Sequence, residues 1–177
     1  MIFLETWHPE VHIIQTDTFT DERGNFFRAY SQPEFDNAPF KFDVSAINIS
    51  KSFEVGTIRG LHRQTEPFDE AKIVRCISGS IFDVAVDVRP ESHNYLQSVC
   101  IELSSLNNLA LYIPSGFAHG FQTLEPNSIV QYCTDNTYNP QHETGFRYDD
   151  LKLSIRWPLK MTRISKKDLD WPLINGS

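Results

Sequence analysis

The stretch SIFDVAVDVR, residues 80–89, decides the fold class. Successive side chains of a β-strand point to opposite faces of the sheet, so apolar residues that alternate with a period of two predict a strand. Asp83 shares a face with the small Ala85, which leaves room beside its carboxylate. The alternation assigns Phe82, Val84, Val86 and Val88 to one face and Ile81, Asp83, Ala85 and Asp87 to the other.

Short apolar stretches of this kind recur roughly every 8 to 12 residues, with turn signals such as DERGN, SGS, SSLNN and EPNS between them. This spacing favours a sandwich or barrel over alternating β-α units. Helical signals are confined to SQPEFDN and SKKDLDW, where Ser165 is a candidate N-cap and Asp168 occupies the N3 position. We therefore expect one all-β domain over residues 1–177, with strands and loops of the C-terminal third packed onto it. The other predicted strands are HIIQTDTF, NFFRAYS, FDVSAINIS, AKIVRCIS, QSVCIEL, LALYIP, GFQTL and SIVQYCTD.

The charge balance excludes one class of partner. The 177 residues carry a formal net charge of -7, with an isoelectric point near 5.3. Sequence-independent nucleic-acid binding needs a basic face, so we expect no nucleic-acid partner. An anionic small ligand is still compatible with the sequence, because local cations can oppose the overall field.

Cysteine usage and the N-terminus predict a cytoplasmic location. Cys76, Cys100 and Cys133 are an odd number and lie singly in apolar runs, which predicts reduced, packed thiols rather than disulfides, nucleophiles or metal ligands. The segment MIFLETWHPE has no basic region and reaches Glu5 before any long apolar run, so it does not resemble a signal peptide. No window approaches the roughly 18 consecutive apolar residues of a membrane span.

Two apolar stretches each contain a histidine. GTIRGLHRQ, residues 56–64, carries Arg59 and His62, and IPSGFAHGF, residues 113–121, carries His119. A lone histidine is more often a hydrogen-bonded structural residue than a catalyst. We nevertheless expect His62 and His119 to face one cavity, because other polar side chains accompany them. We expect His12, His93 and His142 to lie on the surface and assign them no role.

The accompanying polar residues come from strands that are otherwise apolar. On AKIVRCIS, Lys72 would share a face with Val74 and Cys76, and on SIVQYCTD, Tyr132 would share a face with Val130. An unpaired buried charge costs several kcal/mol, so such groups need one another or a ligand. The alternatives are an exposed strand end for Lys72 and an ordinary buried aromatic for Tyr132. Because several polar residues occur together on consecutive, otherwise apolar strands, we favour a shared functional site. Its members would be Arg59, His62, Lys72, Asp83, His119 and Tyr132.

Six stretches together resemble the dTDP-4-dehydrorhamnose 3,5-epimerase family: DERGNFFRAY, RGLHRQ, AKIVRCISGSIFDVAVDVRPES, IPSGFAHGF, YNP and ISKKDLDWP. They follow the family's order from about Ile14 to Pro172. The resemblance implies a cupin jelly-roll barrel with a short C-terminal helical and loop extension, and a homodimer in which strands near the N-terminus pass to the partner. It also implies inversion of one or both carbons beside the C4 ketone of a nucleotide-linked 4-keto-6-deoxyhexose, with no metal or organic cofactor.

The resemblance also assigns roles to individual residues. His62 would be the base that abstracts the proton, held by Asp168. Tyr132 would be the acid on the opposite face of the sugar, and Lys72 would stabilise the enolate oxygen. Inversion needs removal and return of the proton on opposite faces, and preorganised stabilisation of the charge is commonly the largest catalytic contribution. The residues expected to bind the substrate are Arg23, Arg28, Asn48, Arg59, His119, Tyr138, Glu143 and Lys167.

Metal binding is the alternative use of the histidines. Cupin-type barrels hold a metal ion through an H-x-H pair, a carboxylate and a later histidine. PSGFAH provides the later histidine, but GLHRQ has Gln64 where the second histidine of the pair would be. Two histidines without an obvious carboxylate are a poor ligand set for zinc or iron, so we expect no metal.

The sequence departs from the family around the nucleobase. Arg28 stands where the family usually has glutamate, and Ala46 and Ile47 stand where it tends to have Gln-Asp or Gln-x. Arginine only donates hydrogen bonds whereas glutamate accepts them, so the nucleobase could differ from thymine. The leading hypothesis is a cofactor-free 3,5-epimerase. The alternatives are a C3-only or C5-only epimerase, a GDP- or CDP-linked hexose or heptose as substrate, and a non-catalytic sugar- or metal-binding cupin. A 3,4-isomerase is disfavoured by the presence of His62, Tyr132 and Asp168.

Overall fold

The computed structural model describes residues 1–174, and almost all of its regular structure is strand. The helices α1 and α2 are single turns, and a 3-10 turn covers Leu151–Leu153. The elements are β1 (Ile2–Glu5), β2 (His12–Gln15), β3 (Thr18–Asp21), β4 (Gly24–Phe27), α1 (Gln32–Phe35), β5 (Ala46–Ser52), β6 (Ile58–Gln64), β7 (Lys72–Ser78), β8 (Ser80–Asp87), β9 (Ser98–Ser104), β10 (Ala110–Ile113), β11 (Phe117–Thr123), β12 (Ser128–Thr134), β13 (Glu143–Gly145) and α2 (Lys166–Leu169).

Two antiparallel sheets pack face to face. One has the order β1-β2-β10-β7-β12-β5 and the other the order β13-β6-β11-β8-β9, with non-sequential neighbours in both. The core between them joins Val74 and Val130 of the first sheet to Ile81, Ala85 and residues of β9 and β11 in the second. This arrangement confirms the predicted all-β, cupin-like jelly roll.

The outer faces of both sheets are also covered. Residues 30–44 pack Phe35 and Phe42 against Ile73 and Tyr112 outside the six-stranded sheet. Outside the five-stranded sheet, Leu153 and its neighbours in the C-terminal segment cover a cluster that contains Val84, Val86 and Val88. Strands buried on both faces are mostly apolar, and the two charges within β8, Asp83 and Asp87, are both fully buried and paired.

Three features differ from the sequence predictions. His12 is buried rather than exposed, because its ring packs beside Phe40 and Tyr112. Cys100 is exposed rather than packed, because it points outward from the edge strand β9, whereas Cys76 and Cys133 are buried and all three thiols are unpaired. Strand β1 was not predicted.

The predicted cap of α2 is confirmed. The Ser165 hydroxyl accepts a hydrogen bond from the backbone N–H of Asp168, 3.0 Å away, which satisfies a donor at the start of this short helix. The α1 turn in SQPEFDN also forms, but the Ser31 side chain makes no capping hydrogen bond there. No helix in residues 1–174 is long and apolar enough to cross a membrane.

A buried ionic network fixes the N-terminal segment to β8. The carboxylate of Asp87 is fully buried and pairs with the Arg89 guanidinium at 2.7 Å, the Ser92 hydroxyl at 2.6 Å and Nε2 of His8 at 3.3 Å. Arg89 also bonds both carboxylate oxygens of Glu10. Burial alone would raise the pKa of Asp87, but the hydrogen bonds from Arg89 and Ser92 outweigh it and lower the pKa to about 2.

We expect Asp87→Asn to destabilise the fold at pH 6 by about 3 kcal/mol, because it removes the charge of a fully buried carboxylate that pairs with the partly buried Arg89. The folded pKa of Asp87 lies below its unfolded value of 3.8, so the stabilisation is present above pH 4 and is lost as the pH falls toward 2. Urea unfolding of wild type and variant at pH 6 and pH 3 checks this. The difference between them should shrink at pH 3, whereas Asp149→Asn, in an exposed ion pair with Arg147, should change little. A difference that stays constant with pH would contradict the role of the Asp87 charge.

Candidate active site

One cavity of about 740 Å³ opens between the two sheets. All the predicted site residues except Arg23, Arg28 and Asp83 line it, and the expectation that both histidines face one cavity is confirmed. The predicted residues at the cavity are Asn48, Arg59, His62, Lys72, His119, Tyr132, Tyr138, Glu143, Lys167 and Asp168.

The two sheets bring different chemistry to opposite walls. On the five-stranded sheet, His62 of β6 is the direct cross-strand partner of His119 of β11. On the six-stranded sheet, Tyr132 of β12 is paired in register with Asn48 of β5 and with Val74 of β7, two residues beyond Lys72. Imidazoles therefore occupy one wall, and a phenol and an ammonium the other.

Glycines allow β6 and β11 to approach closely beside the histidines. A Cβ atom on Gly60 would lie 2.5 Å from the Cα of Gly120, and one on Gly120 would lie 2.7 Å from the carbonyl oxygen of Arg59. Gly60 also has φ +120°, a conformation that other residues rarely adopt. No side chain fits between these two strands at this point.

His62 is oriented by a carboxylate from α2. Its Nε2 lies 2.8 Å from Oδ1 of Asp168, whose Oδ2 accepts a hydrogen bond from the backbone N–H of Gly60. Burial would raise the pKa of Asp168, but its bond to His62, the charge of that ring and the bonds from Gly60 and Ser165 lower it overall. The ionised carboxylate only accepts hydrogen bonds, so Nε2 carries the proton and Nδ1 is the basic atom.

His119 forms a second imidazole–carboxylate pair. Its Nε2 lies 2.7 Å from Oδ1 of Asp83, and the Asp83 side chain is fully buried. The other oxygen of Asp83 has no hydrogen-bond partner among residues 1–174. This pair explains why β8 carries a carboxylate beside Ala85 in an apolar strand, since the charge supports a histidine in the cavity.

Across the cavity, Lys72 and Tyr132 have environments suited to a fixed cation and a protonated phenol. The ammonium of Lys72 lies 3.2 Å from Oε1 of Glu70, and both side chains are nearly buried. Burial and the nearby charges of Glu70 and Glu143 raise the pKa of Tyr132, while Arg59 opposes them. The Tyr132 hydroxyl is therefore protonated at neutral pH.

A second group of predicted residues surrounds Glu143 at the cavity. The Tyr138 hydroxyl donates to Oε2 of Glu143 at 2.6 Å, and the Lys167 ammonium lies 2.5 Å from the same oxygen. The hydrogen bond to Glu143, with some burial, raises the pKa of Tyr138 to about 12. The ring of Tyr138 is largely exposed, so a flat ligand can stack on it.

Arg59 lies at the edge of the cavity. Its Nε donates to the Ser52 hydroxyl and its Nη2 to the backbone carbonyl of Lys51, each at 3.0 Å. No carboxylate pairs with Arg59 within residues 1–174, so its charge is available to an anion. Arg163 also lines the cavity, although it was not predicted, and it pairs with Glu54 at 2.7 Å.

Arg23 and Arg28 do not reach this chain's cavity. Both belong to the β3–β4 region, which forms a separate two-stranded sheet with Phe19 and Phe26 exposed on it. Arg23 makes a bidentate pair with Asp21, and Arg28 is exposed after β4. Ala46, which we expected near the nucleobase, is in register with Thr134, the cross-strand neighbour of Lys72.

Glu70 is the main cavity residue that the sequence prediction missed. It lies in the loop between β6 and β7, where no alternating pattern indicates which side chains turn inward. Gln64, in the position of a second cupin histidine, uses its amide to bond the carbonyls of Phe68 and Thr137. Within residues 1–174 no three His, Cys, Asp or Glu side chains are grouped so that they could hold a metal ion.

The fold and the cavity together define a class of protein: a cupin-type barrel equipped for proton transfer, with an imidazole–carboxylate pair facing a phenol and an ammonium. A sequence model of the family described as dTDP-4-dehydrorhamnose 3,5-epimerase matches residues 5–176. The chain belongs to this family.

Individual relatives agree with this assignment. The chain is 41% identical over 165 residues to a dTDP-4-dehydrorhamnose 3,5-epimerase of Sinorhizobium fredii, covering 92% of this chain and 84% of that protein. The Bacillus anthracis enzyme, solved with TDP and PPi bound, superposes with a TM-score of 0.94 at 36% identity, covering 98% and 99% of the two chains. The Legionella pneumophila enzyme in complex with dTDP-4-keto-L-rhamnose gives 0.93 at 33% identity, covering 97% and 92%.

Proposed function

We propose that this chain is an epimerase that converts dTDP-4-dehydro-6-deoxy-D-glucose into dTDP-4-dehydro-L-rhamnose by inverting C3 and C5, the carbons on either side of the C4 ketone. One observation carries the proposal: His62 and Tyr132 lie on opposite walls of the same cavity, and Lys72 lies on the wall of Tyr132. A group that removes a proton from one face of the sugar and another that returns it to the other face are what inversion needs.

The base in this mechanism is His62. Its Nδ1 takes the proton from the carbon beside the ketone, while Asp168 holds Nε2–H and stabilises the imidazolium that forms. Tyr132 returns a proton from the opposite side of the sugar. Its raised pKa supports this role as an acid, because the phenol stays protonated until the enolate needs it.

The cation in the mechanism is Lys72. Removing the proton places negative charge on O4, and an ammonium already fixed nearby stabilises that charge without having to reorganise. The His119–Asp83 pair lies on the wall of His62 and would position the sugar from that side.

The nucleoside diphosphate part of the substrate would bind to the remaining cationic and aromatic side chains of the cavity. Arg59, which has no carboxylate partner within the described residues, suits a phosphate, and the exposed ring of Tyr138 suits stacking on the base, with Glu143 and Lys167 beside it. The Bacillus anthracis relative was solved with TDP bound, which supports a nucleoside diphosphate as the anionic part of the substrate.

We further propose a homodimer in which the β3–β4 hairpin passes to the partner subunit. Phe19 and Phe26 of the β3–β4 sheet are exposed, and so are Ile47 and Ile49 of the edge strand β5. Exposed apolar side chains and an unpaired strand edge favour association with another subunit. Pairing two copies would bury these surfaces and would place Arg23 and Arg28 near the partner's nucleotide. The three unpaired thiols fit a cytoplasmic enzyme.

Incubation in D2O tests the proposal. Wild-type protein with the dTDP-linked 4-keto sugar should replace the protons at C3 and C5 with deuterium, seen by NMR. Exchange at one of these carbons alone would indicate a mono-epimerase. A lack of exchange with dTDP-, GDP- and CDP-linked sugars alike would refute the enzymatic function and leave a sugar-binding cupin.

A kinetic comparison of the three nucleotide sugars tests the hypothesis that the nucleobase differs from thymine. Arg28 donates hydrogen bonds where glutamate would accept them, so a GDP- or CDP-linked sugar is the alternative substrate. Comparing kcat/KM for the three nucleotides decides this, and a strong preference for dTDP would refute the alternative.

A further inference from the structure

The carboxylate of Glu70 forms part of the cavity wall and is 9% exposed. Its two oxygens have different partners: Oε1 lies 3.2 Å from the Lys72 ammonium, and Oε2 accepts a hydrogen bond from Nε2 of Gln64 at 3.0 Å. Within residues 1–174 no other carboxylate pairs with Lys72. Glu70 thus connects the rigid strand β6 to the end of a flexible lysine side chain.

Gln64 holds Glu70 firmly because its own amide is fixed on every side. Its Nε2 also lies 2.9 and 3.1 Å from the carbonyl oxygens of Phe68 and Thr137, so its two N–H donors are shared among three acceptors, and its Oε1 accepts from the backbone N–H of Asn139 at 2.6 Å. The side chain is 3% exposed. The hydrogen bond that Oε1 accepts from Asn139 sets which end of this buried amide faces Glu70, so Nε2 is the atom presented to the carboxylate.

We propose that Glu70 is a positioning residue for the epimerisation, which holds the Lys72 ammonium where the substrate's ketone oxygen becomes an enolate. This inference rests on the proposed function of Lys72. A lysine has a flexible four-carbon stem, and an unfixed ammonium would spend much of its time away from the oxygen. Because misplacing a catalytic group by about 1 Å can cost roughly 100-fold in rate, an anchor for Lys72 has a large effect.

The negative charge of Glu70 near the enolate is unfavourable, but the way Glu70 binds Lys72 limits this effect. A carboxylate beside the developing enolate opposes it electrostatically, but Glu70 binds the ammonium through one oxygen and gives the other to Gln64. The ammonium carries three N–H donors. One is directed to Glu70, and the others are available to the substrate.

The kinetic test uses three variants. Glu70→Ala should lower kcat roughly 10- to 100-fold with KM within about threefold of wild type, because the enolate charge exists only in the transition state. Glu70→Gln keeps an oxygen for Lys72 and should be faster than Glu70→Ala. Glu66→Ala is the matched control, since Glu66 is an exposed carboxylate in the same loop, and it should match wild type.

A second measurement needs no turnover. An ammonium held by a carboxylate gives a discrete ¹H–¹⁵N NMR correlation, which can be assigned to Lys72 by its absence in Lys72→Met. We expect this correlation in wild type and Glu66→Ala and its loss in Glu70→Ala. If the protein epimerises no sugar, this measurement still tests whether Glu70 anchors Lys72.

Four results would overturn the proposal. They are a kcat for Glu70→Ala within about twofold of wild type, a loss confined to KM, a Glu70→Gln variant no faster than Glu70→Ala, and an unchanged Lys72 correlation in Glu70→Ala. Thermal unfolding of each variant shows that any kinetic loss belongs to the folded protein.

Discussion

His62→Ala should lower kcat for epimerisation by about 10³-fold, the scale of a lost general base. The variant keeps the Tyr132 wall, the cations and the cavity, so it should still bind the nucleotide sugar, and KM should change little. Deuterium exchange at C3 and C5 should fall in parallel with turnover, because the proton is never removed. Steady-state kinetics and NMR of the exchanged sugar measure both effects.

Two controls make this result specific. His93→Ala removes an exposed histidine and should leave both rates unchanged. Asp168→Asn should also reduce kcat strongly while His62 remains, because a neutral amide does not stabilise the imidazolium. Exchange at the wild-type rate in His62→Ala would show that another group removes the proton.

Lys72→Met should lower kcat by about 10²- to 10³-fold, the range seen when one preorganised donor to a developing oxyanion is removed. Methionine fills much of the same volume but carries no charge. Since the ketone oxygen is only weakly negative before the proton leaves, binding of the substrate should suffer far less than its turnover. Separate determination of kcat and KM checks this expectation.

The Lys72 variant also leaves Glu70 without its cation, so some loss of stability is expected. A buried carboxylate deprived of a partner costs roughly 1–3 kcal/mol, and Glu70 still has its bond from Gln64. Lys41→Met, at an exposed lysine, is the control and should change neither turnover nor stability. A Lys72→Met enzyme with near-normal kcat would remove the ammonium from the mechanism and would undermine the role of Glu70 as well.

The barrel strands could be predicted from the sequence because alternation is a local signal. SIFDVAVDVR and SIVQYCTD have a period of two, and their predicted faces match the packing of Ala85, Tyr132 and Val130 in the core between the sheets. Strand β1 could not be predicted, since IFLE is short and has no alternation. The burial of His12 was missed because the aromatic segment that covers it comes about 30 residues later in the chain.

The site was predictable to the extent that its members lie on alternating strands or in recognisable motifs. Lys72 and Tyr132 follow from strand faces, and His119 was singled out because it lies in the apolar stretch IPSGFAHGF. The partnership of His62 with Asp168 spans 106 residues and came from the family resemblance, because no local rule connects them. Glu70 lies in an irregular loop, and only the folded structure shows that it turns inward to meet Lys72.

The close approach of Gly60 and Gly120 restricts how this enzyme can be redesigned. Any larger residue at Gly60 or Gly120 would force apart β6 and β11, the strands that carry both imidazoles. Single substitutions at these two glycines are therefore expected to disrupt this wall of the cavity. The opposite wall has no such constraint at Ala46, Asn48 and Ser50, which line the cavity from the edge strand β5. Libraries aimed at new sugars should therefore vary β5 and keep the glycine-bearing strands unchanged.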